Sequence, residues 1–331
     1  MRQIRLNKAS ISDHFDGDHF FNPTLPKASA PSRRSVITML LEPRSRWPAW
    51  VENKGISQLK ETLGTDDVAI TFVNHATFLI QTCGMTILTD PVWSERASPF
   101  RWVGPKRVRN PGVKFHDLPT IDIILLSHNH YDHMDIATLR QLGQRFAPTA
   151  FAAAGDARLV GHLGFKDVHE LDWWDEIQLN DALKITFVPA QHFSARGIFD
   201  RQKSLWGGYV IESDTRRIYF AGDSGYSPHF SDIKSRLGPP DIAILGIGAY
   251  EPRWFMKPVH MNPAEAVRAH RDLGSKQSVG MHFGTFQLTT EGIDQPLTDL
   301  RRALAESGVP ASEFITLHEG ETRIYRAADI P

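Results

Sequence analysis

An α/β domain with layered sheets is the fold class that this 331-residue sequence predicts. Three observations lead there. Short runs rich in β-branched and aromatic residues recur from Val68 to Tyr325. Segments with apolar residues at helical spacing lie between them in both halves. No Pro/Gly/Ser-rich linker cuts the later chain in two, so strands and helices share one core.

In order along the chain, strands are predicted at 68–73, 77–82, 85–89, 121–127, 149–153, 184–189, 208–212, 217–221, 242–247 and 278–282, with a last pair at 314–317 and 322–325. The run 121–127 is apolar until its polar end, as a strand buried on both faces would be. Helices are predicted at 136–145, 263–273 and 295–307. The second is the clearest. Asn262 can cap it, Pro263 suits its first position, Glu265 stands three residues after the cap, and Gly274 follows its end. Residues 1–65 differ in being rich in Pro, Ser, Arg and aromatics without clear periodicity. They are expected to form an arm packed on a main body of residues 66–331, with one short helix near 56–63.

Composition excludes several classes. The apolar fraction is 41% and the net charge −1, which suits a globular core and gives no basic excess for nucleic acid. Cys83 is the single cysteine, so an internal disulfide and a cysteine-rich metal site are both excluded. The first ten residues lack the apolar run of a signal peptide. The longest apolar stretches, 36–41 and 121–126, are too short to span a bilayer. A soluble, cytoplasmic protein is expected, with peripheral contact with lipid left open.

The 15 histidines matter through their positions. Residues 128–133 read His-Asn-His-Tyr-Asp-His and follow the apolar run. Residues two apart in extended backbone point the same way, so His128 and His130 can converge on one cation. Asp132 and His133 lie where the loop should turn and can serve a second. Three later positions, each after a predicted strand, supply what this cluster lacks: His192, Asp223 and His282. Alone, each has an ordinary reading as a hydrogen-bonded histidine or a turn aspartate. Two cations about 4 Å apart repel strongly and need a bridging carboxylate, for which Asp223 is the candidate. Imidazole and carboxylate ligands suit zinc, and also manganese or iron.

The ordered set Asp90, His128, His130, Asp132, His133, His192, Asp223 and His282 resembles the metal-site motifs of the metallo-β-lactamase superfamily. The resemblance implies a four-layer αβ/βα sandwich with the site at one edge of two sheets. It implies two Zn2+ ions, one on His128, His130 and His192, the other on Asp132, His133 and His282, with Asp223 between. Asp90 would orient a metal ligand, or be a plain turn residue before Pro91. Further strings, among them Asn74-His75-Ala76-Thr77, Gly104-Pro105-Lys106-Arg107, the ten residues 248–257 and His282-Phe283-Gly284-Thr285-Phe286, resemble the N-acylphosphatidylethanolamine-hydrolysing phospholipase D family. That match covers about residues 13–290, with a shorter arm at the front than in the vertebrate enzyme. It implies hydrolysis of a phosphodiester, N-acylphosphatidylethanolamine giving N-acylethanolamine and phosphatidic acid. It also implies a phospholipid partner, a homodimer and contact with a membrane periphery.

Within this reading Asp132 and Asp223 carry the catalytic metals. His260 is a candidate proton donor to the leaving group, its alternative being a capping-region histidine. His75 is read as a structural turn residue. An acyl chain would need an apolar groove, to which residues 36–41, Trp47, Trp50 and 254–256 could contribute. Two other functions compete: a lactonase or other ester hydrolase with the same ligands, and a non-catalytic member that binds lipid or protein.

Overall fold

The computed structural model describes residues 12–26, 32–54, 59, 63–64 and 66–326. Fourteen strands form among these: β1 Val68–Asn74, β2 Thr77–Thr82, β3 Met85–Thr89, β4 Ile123–Leu125, β5 Thr149–Ala153, β6 Asp167–Leu171, β7 Glu176–Asn180, β8 Leu183–Val188, β9 Gly208–Glu212, β10 Arg217–Phe220, β11 Ile242–Gly246, β12 Gln277–Met281, β13 Phe314–Ile315 and β14 Thr322–Tyr325. The helices are α1 Arg33–Leu41, α2 Ile136–Phe146, α3 Ala157–Val160, α4 His229–Leu237, α5 Arg253–Met256, α6 Pro263–Leu273 and α7 Gln295–Ser307.

The strands pair into two seven-stranded mixed sheets, ordered β14-β1-β2-β3-β4-β5-β6 and β13-β12-β11-β10-β9-β8-β7. Alternation along the first sheet explains how it packs. Phe78 and Ile80 face the second sheet, while Leu79 joins the cluster against α2 and α3. On β4, Ile123 and Leu125 point one way and Ile124 the other. A strand so placed is apolar on both faces, which is the continuous run read from the sequence. The second sheet shares the inner core through Phe187, Tyr209, Phe220 and Ile244, and residues of α4, α6 and α7 join the same cluster. Two sheets flanked by helices make the αβ/βα sandwich.

Helix α6 has the capping box expected of it: Glu265 N donates to Asn262 Oδ1 at 2.9 Å and Asn262 N to Glu265 Oε2 at 3.1 Å. Gly274 caps its far end at φ +63°. Strands β6 and β7 were not expected. They end their sheets, and β7 alternates between exposed and half-buried residues, so no apolar run marks it. Helices α1, α3, α4 and α5 were also not expected. Residues 36–41, read as an apolar stretch that could help line an acyl groove, lie in α1, with Ile37 and Leu41 exposed. The helix anticipated near 56–63 falls almost wholly outside the described residues.

The segments before β1 touch the sandwich at several points. Asn22 Nδ2 donates to His192 O at 2.8 Å, Ser45 N to Thr290 O at 2.9 Å, and Val51 N to Val108 O at 2.7 Å. Parallel pairing places the loops that follow β3 and β4, and those that follow β10, β11 and β12, at the carboxyl ends of their strands. Such ends are where α/β sheets present their ligand-binding loops.

Candidate metal centre

The 128–133 loop leaves β4 and turns at once. His133 N and Met134 N both donate to His130 O, at 3.1 and 2.8 Å, which swings Asp132 and His133 back beneath the strand end. On the facing sheet, Gly222 allows Asp223 to approach this loop. Its φ is +58°, and a Cβ there would lie 2.6 Å from Gly207 O and 2.7 Å from Ser127 Cβ. The two halves are tied at this level by Gly207 N, donating to Ser127 O at 3.0 Å, and Tyr209 Oη, donating to Leu126 O at 2.8 Å. Gly248 does the same for His282, since a Cβ there would stand 2.0 Å from His282 O.

All seven expected ligands meet. One set is purely histidine. His128 Nε2 is 2.8 Å and His192 Nε2 3.2 Å from His130 Nδ1. The other is mixed. Asp132 Oδ2 lies 3.4 Å from both His133 Nε2 and His282 Nε2. Asp223 Oδ2 stands between the sets, 3.0 Å from His133 Nε2, 3.2 Å from His282 Nε2, 3.8 Å from His192 Nε2 and 3.9 Å from His128 Nε2. Zinc bonds of about 2.0–2.2 Å put two ligands of one ion within about 4.4 Å of each other, so these separations suit shared cations.

Partners outside the sets fix which nitrogen faces inward. His133 Nδ1–H donates to Asp90 Oδ2 at 2.6 Å, and His192 Nδ1–H to Val259 O at 2.9 Å. His128 Nδ1 pairs with Ser127 Oγ at 2.9 Å. Each turns Nε2 toward the space between the two sets, the usual arrangement around ligating imidazoles. Asp90 is fully buried and also accepts from Ser127 N and Oγ, at 2.8 and 2.6 Å. Of its two readings, the geometry favours the orienting one.

The donor set fits divalent cations. Both ring nitrogens of His282 and Oδ1 of Asp223 are buried without a hydrogen bond of good geometry, a costly state that a cation would relieve. Charge is distributed unevenly. Burial lowers the histidine-only set, His130 to about 4 and His192 to about 3, with His128 also well below the usual imidazole range. In the mixed set burial is overcome by carboxylates. Asp223, Asp132 and Asp90 hold His133 well above 6.5, and Asp223 and Asp132 hold His282 at about 9.

His260 reaches the same site. Its Nε2 lies 3.9 Å from Asp223 Oδ2, and its ring centroid 5.0 Å from that of His192. Burial keeps it well below 6.5. The residue that the sequence reading undervalued is His75. It is 1% exposed, its Nε2 lies 2.9 Å from Asp132 Oδ2, and it groups with Asp132, His133 and His282 as a candidate ligand. The available signal was its place immediately after a strand, the position that His282 also occupies.

The chain also resembles known proteins. The profile of the β-lactamase superfamily domain matches residues 85–283. The chain is 37% identical over 271 residues to "N-acyl-phosphatidylethanolamine-hydrolyzing phospholipase D 1" of Caenorhabditis elegans, covering 78% of this chain and 76% of that one. It is 36% identical over 246 residues to the mitochondrial protein of that description in Saccharomyces cerevisiae, covering 71% of this chain and only 52% of the yeast one. Among solved structures, Igni18, a metallo hydrolase of Ignicoccus hospitalis, superposes with a TM-score of 0.58 at 21% identity, covering 78% of this chain and 99% of that one. The chain therefore belongs to the metallo-β-lactamase superfamily of metal-dependent hydrolases and resembles, within it, the N-acyl-phosphatidylethanolamine-hydrolyzing phospholipases D.

Proposed function

We propose that the protein is a two-zinc phosphodiesterase of phospholipase D type, hydrolysing N-acylphosphatidylethanolamine to N-acylethanolamine and phosphatidic acid. The observation that carries this reading is Asp223, whose Oδ2 lies within 3.9 Å of both histidine groups, in a chain 37% identical to a relative described by that activity. His128, His130 and His192 would hold one ion and Asp132, His133 and His282 the other, with Asp223 shared. A bound pair supplies a nucleophile at neutral pH and neutralises phosphoryl oxygens. Asp90 and the Val259 carbonyl keep His133 and His192 turned inward. His260 points Nε2 at the same centre, where it can relay a proton to the departing alkoxide of the N-acylethanolamine.

A lipid substrate accounts for apolar side chains left in water around this face. Arg196 packs over the Tyr131 ring within the metal-binding loop, 4.0 Å from its centroid. Beyond it Ile198 and Phe199 are 87% and 90% exposed, and Trp102 is 77% exposed on the 98–103 loop. Phe100, Tyr131 and Arg196 line one cavity, which places the two loops side by side. Such prongs suit contact with a membrane surface. Among the described residues no helix is long and apolar enough to cross a membrane.

The test is an assay of zinc-loaded protein on N-acylphosphatidylethanolamine beside simple phosphodiesters and lactones, with products identified and metal content measured. Release of N-acylethanolamine is expected. Preference for a lactone would replace this reading with that of an ester hydrolase, and fewer than one metal per chain would leave only a binding role.

A further inference from the structure

We infer that His75 is a positioning residue for the second metal, its imidazole holding Asp132 and its carbonyl holding His282. The inference rests on the two-metal reading above.

His75 and Ala76 form the two-residue turn between β1 and β2, where Asn74 pairs with Thr77. His75 has φ +48°, in the left-handed region. Turns of this kind favour Asn or Gly, because a larger L side chain there costs roughly 1–2 kcal/mol. The left-handed region tolerates histidine better than most side chains but does not require it. Its contacts give the stronger reason. The backbone N–H donates to Thr285 Oγ1 at 3.1 Å, and the carbonyl accepts His282 N–H at 2.8 Å. Its ring centroid lies 3.9 Å from that of His282 and 5.4 Å from that of Phe286, which is set edge-to-face at 87°. Its Nε2–H donates to Asp132 Oδ2 at 2.9 Å.

Asp132 follows a strand of the first sheet and His282 a strand of the second. One residue thus fixes the rotation of the carboxylate and the register of the imidazole opposite it. A carboxylate whose oxygen accepts a fixed hydrogen bond presents one defined lone-pair direction to a cation, and losing such a partner typically weakens metal binding about 10–100-fold. None of the histidine-only set touches His75, so the effect should fall on one metal.

The test compares full-length wild type, His75→Asn and His75→Gln. Zinc affinities of both sites are measured by chelator competition and by the cobalt spectrum, and metal-free melting temperatures are recorded. Asn suits the left-handed turn but is too short to reach Asp132. Gln places an N–H near the position of Nε2. His75→Asn is expected to melt no lower than His75→Gln when metal-free, and to lose second-metal affinity about 10–100-fold with the first unchanged. His75→Gln should recover most of that loss. Equal second-metal affinity in wild type and His75→Asn would overturn the inference, as would equal weakening of both metals or a His75→Gln no better than His75→Asn. If His75→Asn does not fold, His75→Gln decides alone: near-wild-type second-metal affinity supports the role and a full loss overturns it. A wild type holding fewer than two metals would remove the two-metal reading itself, and this inference with it.

Discussion

The two ligand sets flanking Asp223 use similar residues but hold charge in opposite ways. Burial keeps the three imidazoles of His128, His130 and His192 neutral, ready to ligate without losing a proton. In the other set Asp132 and Asp223 are held well below the usual carboxylate range, though burial opposes it, chiefly by His133. They in turn keep protons on His133 and His282. Without a cation the second set neutralises itself internally. The comparison teaches that, on the two-metal reading, one half is a preformed neutral pocket, while the other would exchange protons for its metal.

The largest test removes what the halves share. Asp223→Ala takes away the carboxylate within reach of both sets. Affinity for both metals should fall by more than about 10²-fold, beyond what losing an orienting partner costs, and hydrolysis should drop to background. Metal titration with zinc checks it. A variant that still binds two metals tightly would show that the sets are independent and that Asp223 does not bridge.

A smaller effect, confined to turnover, is expected for His260→Ala. The ring lies beside both sets but has neither the Asp90-type nor the carbonyl partner that turns a ligand inward, so its loss should leave both metals bound. A proton relay contributes typically about 10²–10⁴-fold, and kcat should fall within that range. Unchanged kcat would remove His260 from the reaction. Loss of one metal would reassign it as a ligand, consistent with its grouping with His192 and Asp223.

The charge asymmetry also has a sign. A protonated imidazole cannot ligate, so a metal entering the second set must expel the protons that the carboxylates hold there. Below about 9, the value of His282, second-metal affinity should fall as pH falls, by about tenfold per unit for each proton displaced. First-metal affinity should stay flat until pH approaches about 4, the value of His130. Chelator competition between pH 5 and 8.5 measures both. Parallel slopes would erase the distinction between the halves.

How this arrangement was legible from sequence follows the same division. The 128–133 loop announces itself because its ligands are adjacent and follow an apolar strand. His192, Asp223 and His282 are single residues at strand ends and become a site only through the facing of two sheets. His75 was read only as a structural turn residue, because a left-handed φ and a carbonyl contact leave no mark in residue type. The same reason explains the missing β7. An edge strand half in water has no apolar run, whereas β4, buried on both faces, is little else.

The smallest effect concerns how the second half holds its loops. Residues 252–260 reach the site from α5, and α6 anchors their far end. Glu265 closes the capping box with Asn262 and also pairs with Arg253 at 2.7 Å, while Arg253 donates to His260 O at 3.0 Å. One helix N-terminus therefore braces the backbone that carries His260. Asn262→Ala removes the acceptor for Glu265 N and should lower stability by about 1 kcal/mol. Zinc content should be unchanged, because none of the seven expected ligands lies on this segment and the substitution leaves in place the Val259 carbonyl that turns His192 inward. Chemical denaturation of metal-loaded protein reads the first expectation and metal analysis the second. A kcat that falls with His260 still in place would show that the brace sets the histidine's position as well as the helix's stability. An unaltered kcat would confine the cap to folding, and the contrast between a self-contained loop and a braced one would narrow to stability alone.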